Sequence, residues 1–136
     1  MKLLTTSIFD QLLRNGRLMA ERQEQGQPEP DFLPVVKLFT PDANCTWLLT
    51  ELDPEEPDIA FGLCDLGMGC PELGSVRISE LESVRGAFGL PVERDLHFRA
   101  VHTLSVYARA AWNACCITEN PQALSKAAER AAGGAV

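Results

Sequence analysis

Four short segments with the composition of β-strands follow one another between residues 35 and 78, and this succession most limits what the chain can fold into. The segments are Val35–Phe39, Cys45–Leu52, Ile59–Cys64 and Ser75–Ile78. Turn-forming residues and prolines separate them, and the connections are too short to hold the crossover helix that a parallel pair requires. The pattern therefore predicts antiparallel pairing.

Helical patterns flank these strands. Apolar residues at helical spacing predict a helix from Thr5 to about Gln25, although Asn15–Gly16 could end a first, shorter helix. The remaining predicted elements are a capping box at Ser79–Glu82 that opens a short helix, a fifth strand over Glu93–Phe98, and helices over Leu104–Cys116 and Gln122–Ala132. We therefore expect an α+β fold, with a small, mostly antiparallel sheet of about five strands flanked by N-terminal and C-terminal helices.

The 136 residues are typical in number of one compact domain. Residues 1–117 are predicted to form this single α+β domain, and residues 118–136 a C-terminal helical extension with a flexible tail from Ala131. The last helix has few large apolar residues with which to dock on the domain.

The negative charge of the chain is concentrated in its centre. The formal net charge is −7, but residues 31–72 alone carry one basic and nine acidic side chains, for a net charge of −8. Five carboxylates fall within eight residues, namely Glu51, Asp53, Glu55, Glu56 and Asp58. Two prolines interrupt them, so the segment is a loop without the ligand spacing of a calcium site. It is either a solvated turn or a surface that binds a basic groove on another protein.

Several classes of function are disfavoured. An acidic chain is poorly suited to direct nucleic-acid binding, and no apolar run has the length of a membrane helix. The five cysteines form no disulfide framework, and the N-terminus lacks the apolar core of a signal peptide, which together indicate the cytoplasm. The spacing of Cys64, Cys70, His97 and His102 does not match a zinc site, and no phosphate-binding or dinucleotide motif occurs. We expect no metal and no cofactor.

One predicted strand suggests an alternative function. In a strand, Glu93, Asp95 and His97 would share one face and Arg94 would take the other. Two carboxylates beside an imidazole could carry out acid–base chemistry, with Arg94 as an anion contact. The alternative interpretation is a charged outer face with cross-strand pairing.

A series of short motifs resembles a known bacterial family. In order they are Val36–Pro41, Thr46–Trp47, Thr50–Glu55, Phe61–Gly62, Pro71–Gly74, Ser79–Arg85 and Gly89–Phe98. Together they resemble the domain-of-unknown-function family DUF2958, from Met1 to about Ala110. The resemblance implies a small protein carried on plasmids, integrative elements or phages, and it implies no established reaction. The chain departs from the family pattern at Cys45 and Ser75, where the family commonly has tryptophan or another apolar residue and an aromatic residue, respectively.

These observations lead to one functional hypothesis and two alternatives. The hypothesis is a non-enzymatic accessory protein of a mobile element, which binds and inhibits a host defence protein of the restriction or CRISPR type through its acidic surface. The first alternative is a small hydrolytic enzyme that uses Glu93, Asp95 and His97. The second is a structural subunit of a plasmid-maintenance complex, and the sequence leaves the oligomeric state open.

Overall fold

The computed structural model describes residues 3–133 and confirms the α+β class. Four helices and five strands alternate irregularly along these residues. In chain order they are α1 (Thr6–Glu24), β1 (Val36–Phe39), β2 (Thr46–Leu52), β3 (Ile59–Asp65), β4 (Glu72–Arg77), α2 (Ile78–Ser83), β5 (Glu93–Arg94), α3 (Leu104–Ala114) and α4 (Pro121–Gly133). No helix within residues 3–133 has the length and hydropathy needed to cross a membrane.

The strands form one open sheet in the order β4-β3-β2-β1-β5, with every neighbouring pair antiparallel. The fifth strand is much shorter than predicted, because pairing with β1 ends at Arg94. The backbone N–H of Asp95 donates to the Lys37 carbonyl at 2.9 Å. The Asp95 carboxylate then accepts the backbone N–H of His97 at 2.8 Å, which turns the chain out of the strand.

Both faces of the sheet are covered, so two hydrophobic cores form. On one face Trp47 and Leu49 pack in a cluster with Leu12 of α1. On the other face Leu48 and Leu63 pack in a cluster with Tyr107 of α3. The alternation along β2 follows from strand geometry, in which successive side chains point to opposite faces.

Helix α1 is continuous through Asn15–Gly16, which confirms one helix from Thr5 to about Gln25 and excludes the alternative of a first, shorter helix that ends there. Asn15 Nδ2 donates to the Thr50 carbonyl of β2 at 2.8 Å. A Cβ on Gly16 would lie 1.7 Å from the carbonyl oxygen of Leu52. The two residues therefore form the contact by which α1 lies against β2, and glycine allows the close approach of the two backbones.

The predicted capping box at the start of α2 is wrong. Ser79 lies inside the helix, and its backbone N–H and hydroxyl donate to the Asp58 carboxylate at 2.9 and 2.6 Å. The backbone N–H of Ile78 donates to the Asp58 carbonyl at 2.8 Å. A residue of the acidic segment thus supplies the capping interaction that the sequence pattern assigned to Ser79.

Helix α4 docks on the second core despite its small side chains. Leu124 and Ala127 are both 1% exposed in the cluster that contains α3. The helix continues to Gly133, so the tail predicted from Ala131 overlaps its last turn. Residues 134–136 lie outside the described residues.

Candidate functional site

The five carboxylates of residues 51–58 occupy the end of β2 and the connection to β3, in different environments. Asp53 and Glu55 are exposed, and the Asp53 carboxylate accepts the backbone N–H of Glu55 at 2.9 Å. Glu56 pairs with Arg77 at 2.8 Å, and Asp58 lies 3.7 Å from the same guanidinium. Hydrogen bonds from Ser79 hold the pKa of Asp58 below its ordinary value, with a smaller effect from Arg77.

The remaining carboxylate, Glu51, is only 9% exposed. A β-bulge in β2 explains its position: Leu49 pairs with Gly62 and Glu51 with Phe61, so Thr50 is the extra residue. The extra residue shifts the alternation, placing Glu51 on the face of Phe61 and leaving Leu52 in the first core. Burial raises the pKa of Glu51, a hydrogen bond from Thr50 opposes that change, and the charge of Glu29 adds to it.

Three of these carboxylates line one groove. A cavity of about 470 Å³ lies between α1 and the β2–β3 connection, and Glu51, Asp53 and Glu55 form part of its wall. Met19 and Phe61 supply apolar surface to the same wall. We call this cavity the acidic groove.

A second cavity, of about 270 Å³, shares Met19, Glu51 and Phe61 with the acidic groove and adds Glu29 and Asp31. The two cavities therefore meet at Glu51. Gln23 Nε2 donates to the Glu29 carboxylate at 2.7 Å, and the Asp31 carboxylate accepts hydrogen bonds from the backbone and hydroxyl of Ser105. Acidic side chains thus extend along the surface from the β2–β3 connection to residues 29–31.

Two of the five carboxylates of residues 51–58, Glu56 and Asp58, form ion pairs with described side chains. Within the side chains that the structure describes, Arg77 is the one cation that forms an ion pair with any of the five carboxylates of residues 51–58. Arg77 also interacts electrostatically with Glu80 of α2. Since one guanidinium faces several carboxylates, this end of the sheet carries a net negative charge.

The structure does not form the strand face proposed for an enzyme. Glu93 is exposed on β5, while Asp95 and His97 lie in the turn that follows it. Asp95 lies 3.6 Å from Lys37 Nζ, and Lys37 also pairs with Glu119 at 2.5 Å. The contact between Asp95 and His97 uses the histidine backbone and not the imidazole. The three side chains therefore do not share one strand face, which was the premise of the acid–base hypothesis.

A further cleft, of about 540 Å³, lies beside Lys37 and Asp95. Three cysteines line it, namely Cys45, Cys115 and Cys116. The cleft also contains the buried carboxylate of Asp65, whose two oxygens accept the backbone N–H groups of Gly67 and Ile117 at 2.9 Å. Asp65 therefore has a structural role in fixing these two loops. In residues 3–133 no group of three or more His, Cys, Asp or Glu side chains is arranged to hold a metal ion.

The sequence indicated the acidic side chains but not the groove. Met19 and Phe61 carry no signal of their own, because each fits an ordinary apolar position in a helix or strand. Glu29 lies in the segment that composition marked as a linker. The groove exists because α1 lies across the bulged end of β2, and this packing brings residues 19, 51 and 61 together.

Fold and site together define a small α+β protein with an open antiparallel sheet and one acidic end. The model of the family described as "Protein of unknown function (DUF2958)" matches residues 3–118, and the chain belongs to this family. The predicted resemblance is therefore confirmed, and the match reaches beyond Ala110 to residue 118, past the end of α3. No curated protein and no solved structure matches the chain.

Proposed function

We propose that this protein is a non-enzymatic accessory protein of a mobile element, which binds a host defence protein in the cytoplasm through its acidic surface. The observation that carries the proposal is the charge imbalance at one end of the sheet, where Arg77 is the one described cation that pairs with the carboxylates of residues 51–58. The link to mobile elements rests on the family resemblance described above.

The chemistry of the surface favours one kind of partner. Restriction and CRISPR proteins bind nucleic acid through basic grooves, and a protein that presents closely spaced carboxylates can occupy such a groove in place of phosphates. Exposed carboxylates steer the encounter and select the partner. Because exposed charges are screened by salt, binding should weaken as ionic strength rises.

Glu55 is the best residue for a test, since it is exposed and forms no ion pair in the described part of the chain. Glu56 and Asp58 are less suitable, because they hold Arg77 and cap α2. The matched control is Glu93→Lys, which makes the same charge change on an exposed residue of β5. Strand β5 is one edge of the sheet, and β4 is the other.

The experiment measures protection of a targeted plasmid during transformation into hosts that carry a restriction or CRISPR system. The wild-type protein and Glu93→Lys should protect the plasmid and capture the same defence protein from lysate at low salt. Glu55→Lys should weaken the capture by about fivefold or more, as expected for one exposed charge pair that becomes repulsive. Protection that is unchanged in Glu55→Lys, or capture that resists high salt, would refute the proposal.

A further inference from the structure

Within the described part of the chain, Glu51 is a buried carboxylate without a positively charged neighbour. Its side chain lines the acidic groove, and the residue is 9% exposed. Among the side chains that the structure describes, no lysine, arginine or histidine lies within 4 Å of the Glu51 carboxylate. The charge with the largest effect on the pKa of Glu51 is that of Glu29, which is also negative. An unpaired buried charge is costly, so its presence at a cavity wall calls for a ligand.

The hydrogen-bonding capacity of Glu51 is largely unused. Thr50 Oγ1 lies 3.2 Å from Glu51 Oε1 and 3.3 Å from the Phe61 carbonyl oxygen. A hydroxyl has one proton, so these two acceptors compete for it. The second carboxylate oxygen of Glu51 accepts no hydrogen bond from the described residues. A donor that enters the groove would therefore meet a carboxylate with free acceptor sites.

We infer that the acidic groove binds an arginine side chain of the partner protein, with Glu51 as the counter-ion of its guanidinium. This inference deepens the proposed function and rests on it for the source of the arginine. The volume of about 470 Å³ lies within the range of small-ligand pockets. Arginine fits better than lysine, because the planar guanidinium offers five donors and is weakly hydrated.

The other walls suit the rest of the side chain. Phe61 is half-buried and presents aromatic surface, on which a guanidinium can stack. Met19 offers a polarisable, adaptable contact for the methylene stem. Asp53 and Glu55 line the same groove and attract the approaching cation.

The β-bulge makes this arrangement possible. If Thr50 instead paired regularly with Phe61, with no bulge, Glu51 would point to the opposite face of the sheet and Leu52 would leave the first core. Asn15 holds the Thr50 carbonyl at 2.8 Å, which ties the bulge to α1, the opposite wall of the groove. Bulges often re-aim a side chain beside a functional site, and this one places a carboxylate in the wall of a cavity.

The inference is tested by NMR titration of the full chain with N-acetyl-arginine amide. The neutral analogue N-acetyl-citrulline amide is the control ligand, because it has nearly the same shape without the charge. The arginine compound should shift the signals of Met19, Glu51 and Phe61 with saturation, and the citrulline compound should not. Glu51→Gln should weaken this binding by at least fivefold, whereas Glu93→Gln should leave it unchanged.

A second measurement on the wild-type chain needs no variant. The carboxyl carbon of Glu51 is titrated with pH in the presence and absence of N-acetyl-arginine amide, and the bound cation should lower the measured pKa of that group. Shifts scattered over the surface, or an unchanged Glu51 titration, would overturn the inference.

The two proposals fail in different ways. If the arginine compound does not bind while Glu55→Lys still weakens capture and protection, the groove assignment is wrong and the proposed function stands. If the compound binds in a Glu51-dependent way while protection is unaffected by Glu55→Lys, the groove assignment stands and the proposed function is wrong.

Discussion

Replacement of Gly16 by alanine should destabilise the protein, contrary to what helix propensity predicts. In an exposed helix interior, Gly→Ala raises stability by about 1 kcal/mol. In α1, however, the new Cβ would lie 1.7 Å from the Leu52 carbonyl oxygen and 2.9 Å from its carbon. Backbone atoms of a core strand cannot turn aside as a flexible side chain can, so α1 itself must move.

The size of the effect follows from these distances. An ordinary contact begins at 3.4 Å, so α1 must shift by about 1.7 Å at this point. A shift of that size breaks the 2.8 Å hydrogen bond from Asn15 to the Thr50 carbonyl, at a cost of about 1 kcal/mol. Overpacking at the contact destabilises the fold by a further amount of about 1–3 kcal/mol. After the gain in helix propensity, we expect a net loss of about 2 kcal/mol.

Urea unfolding followed by far-UV circular dichroism measures this loss, and thermal unfolding should show Tm lower by about 8 °C. Gly74→Ala is the matched control, because a Cβ on Gly74 meets nothing within 4 Å and its backbone is not in the left-handed region. That control should change stability by less than about 1 kcal/mol. If Gly16→Ala is as stable as the wild type, the close approach of α1 to Leu52 does not exclude a side chain at position 16, and the reasoning is refuted.

Three further expectations concern titratable groups. Glu51→Gln should stabilise the protein at neutral pH, because burial raises the folded pKa of Glu51 above 4.5. Urea unfolding measures this gain in stability over the wild type. The gain should vanish below pH 4.5, where the wild-type carboxyl is protonated in both the folded and the unfolded state. Asp58→Ala should lower Tm at pH 7, because hydrogen bonds from Ser79 hold the pKa of Asp58 below its ordinary value. The difference in Tm from the wild type should shrink as pH falls below 3.8. A difference that is the same at every pH would contradict the capping role of Asp58. Burial raises the pKa of the Cys64 thiol to about 11, so iodoacetamide at pH 8 should label exposed Cys70 first; equal rates by mass spectrometry would contradict its protection.

The main elements of the fold were predictable because local patterns and tertiary packing agree there. The strand patterns at residues 35–39, 45–52 and 59–64 reappear as β1, β2 and β3 within one residue of the predicted bounds. Short connections allow only antiparallel neighbours, and these strands pair in chain order. Helix α1 also lies within one residue of its predicted bounds, and the Thr5 hydroxyl at its start accepts the backbone N–H of Ile8.

The errors occur where a distant residue competes with a local signal. Asn15–Gly16 has the composition of a helix end, yet both residues contact β2. Ser79 begins a capping-box pattern, but Asp58, 21 residues earlier, accepts its hydrogen bonds. Alternation over Glu93–Phe98 predicts a strand, but pairing with β1 stops after Arg94, and the Asp95 carboxylate then accepts the backbone N–H of His97 in a turn. Local propensity decides only where no stronger tertiary contact is available.

The amino-acid sequence alone determined the α+β class, the acidic centre of the chain and its family. Each of these depends on composition, local periodicity or motif order, which are properties of the linear chain. Only the tertiary structure decided the environment of each carboxylate. Glu56 pairs with Arg77, Asp58 caps α2, and Glu51 is buried with no ion pair to any described side chain. The physical reason is that the burial and ion pairing of a side chain depend on the elements that pack against it. The bulge in β2 turns Glu51 toward a cavity, and α1 forms the other wall of that cavity.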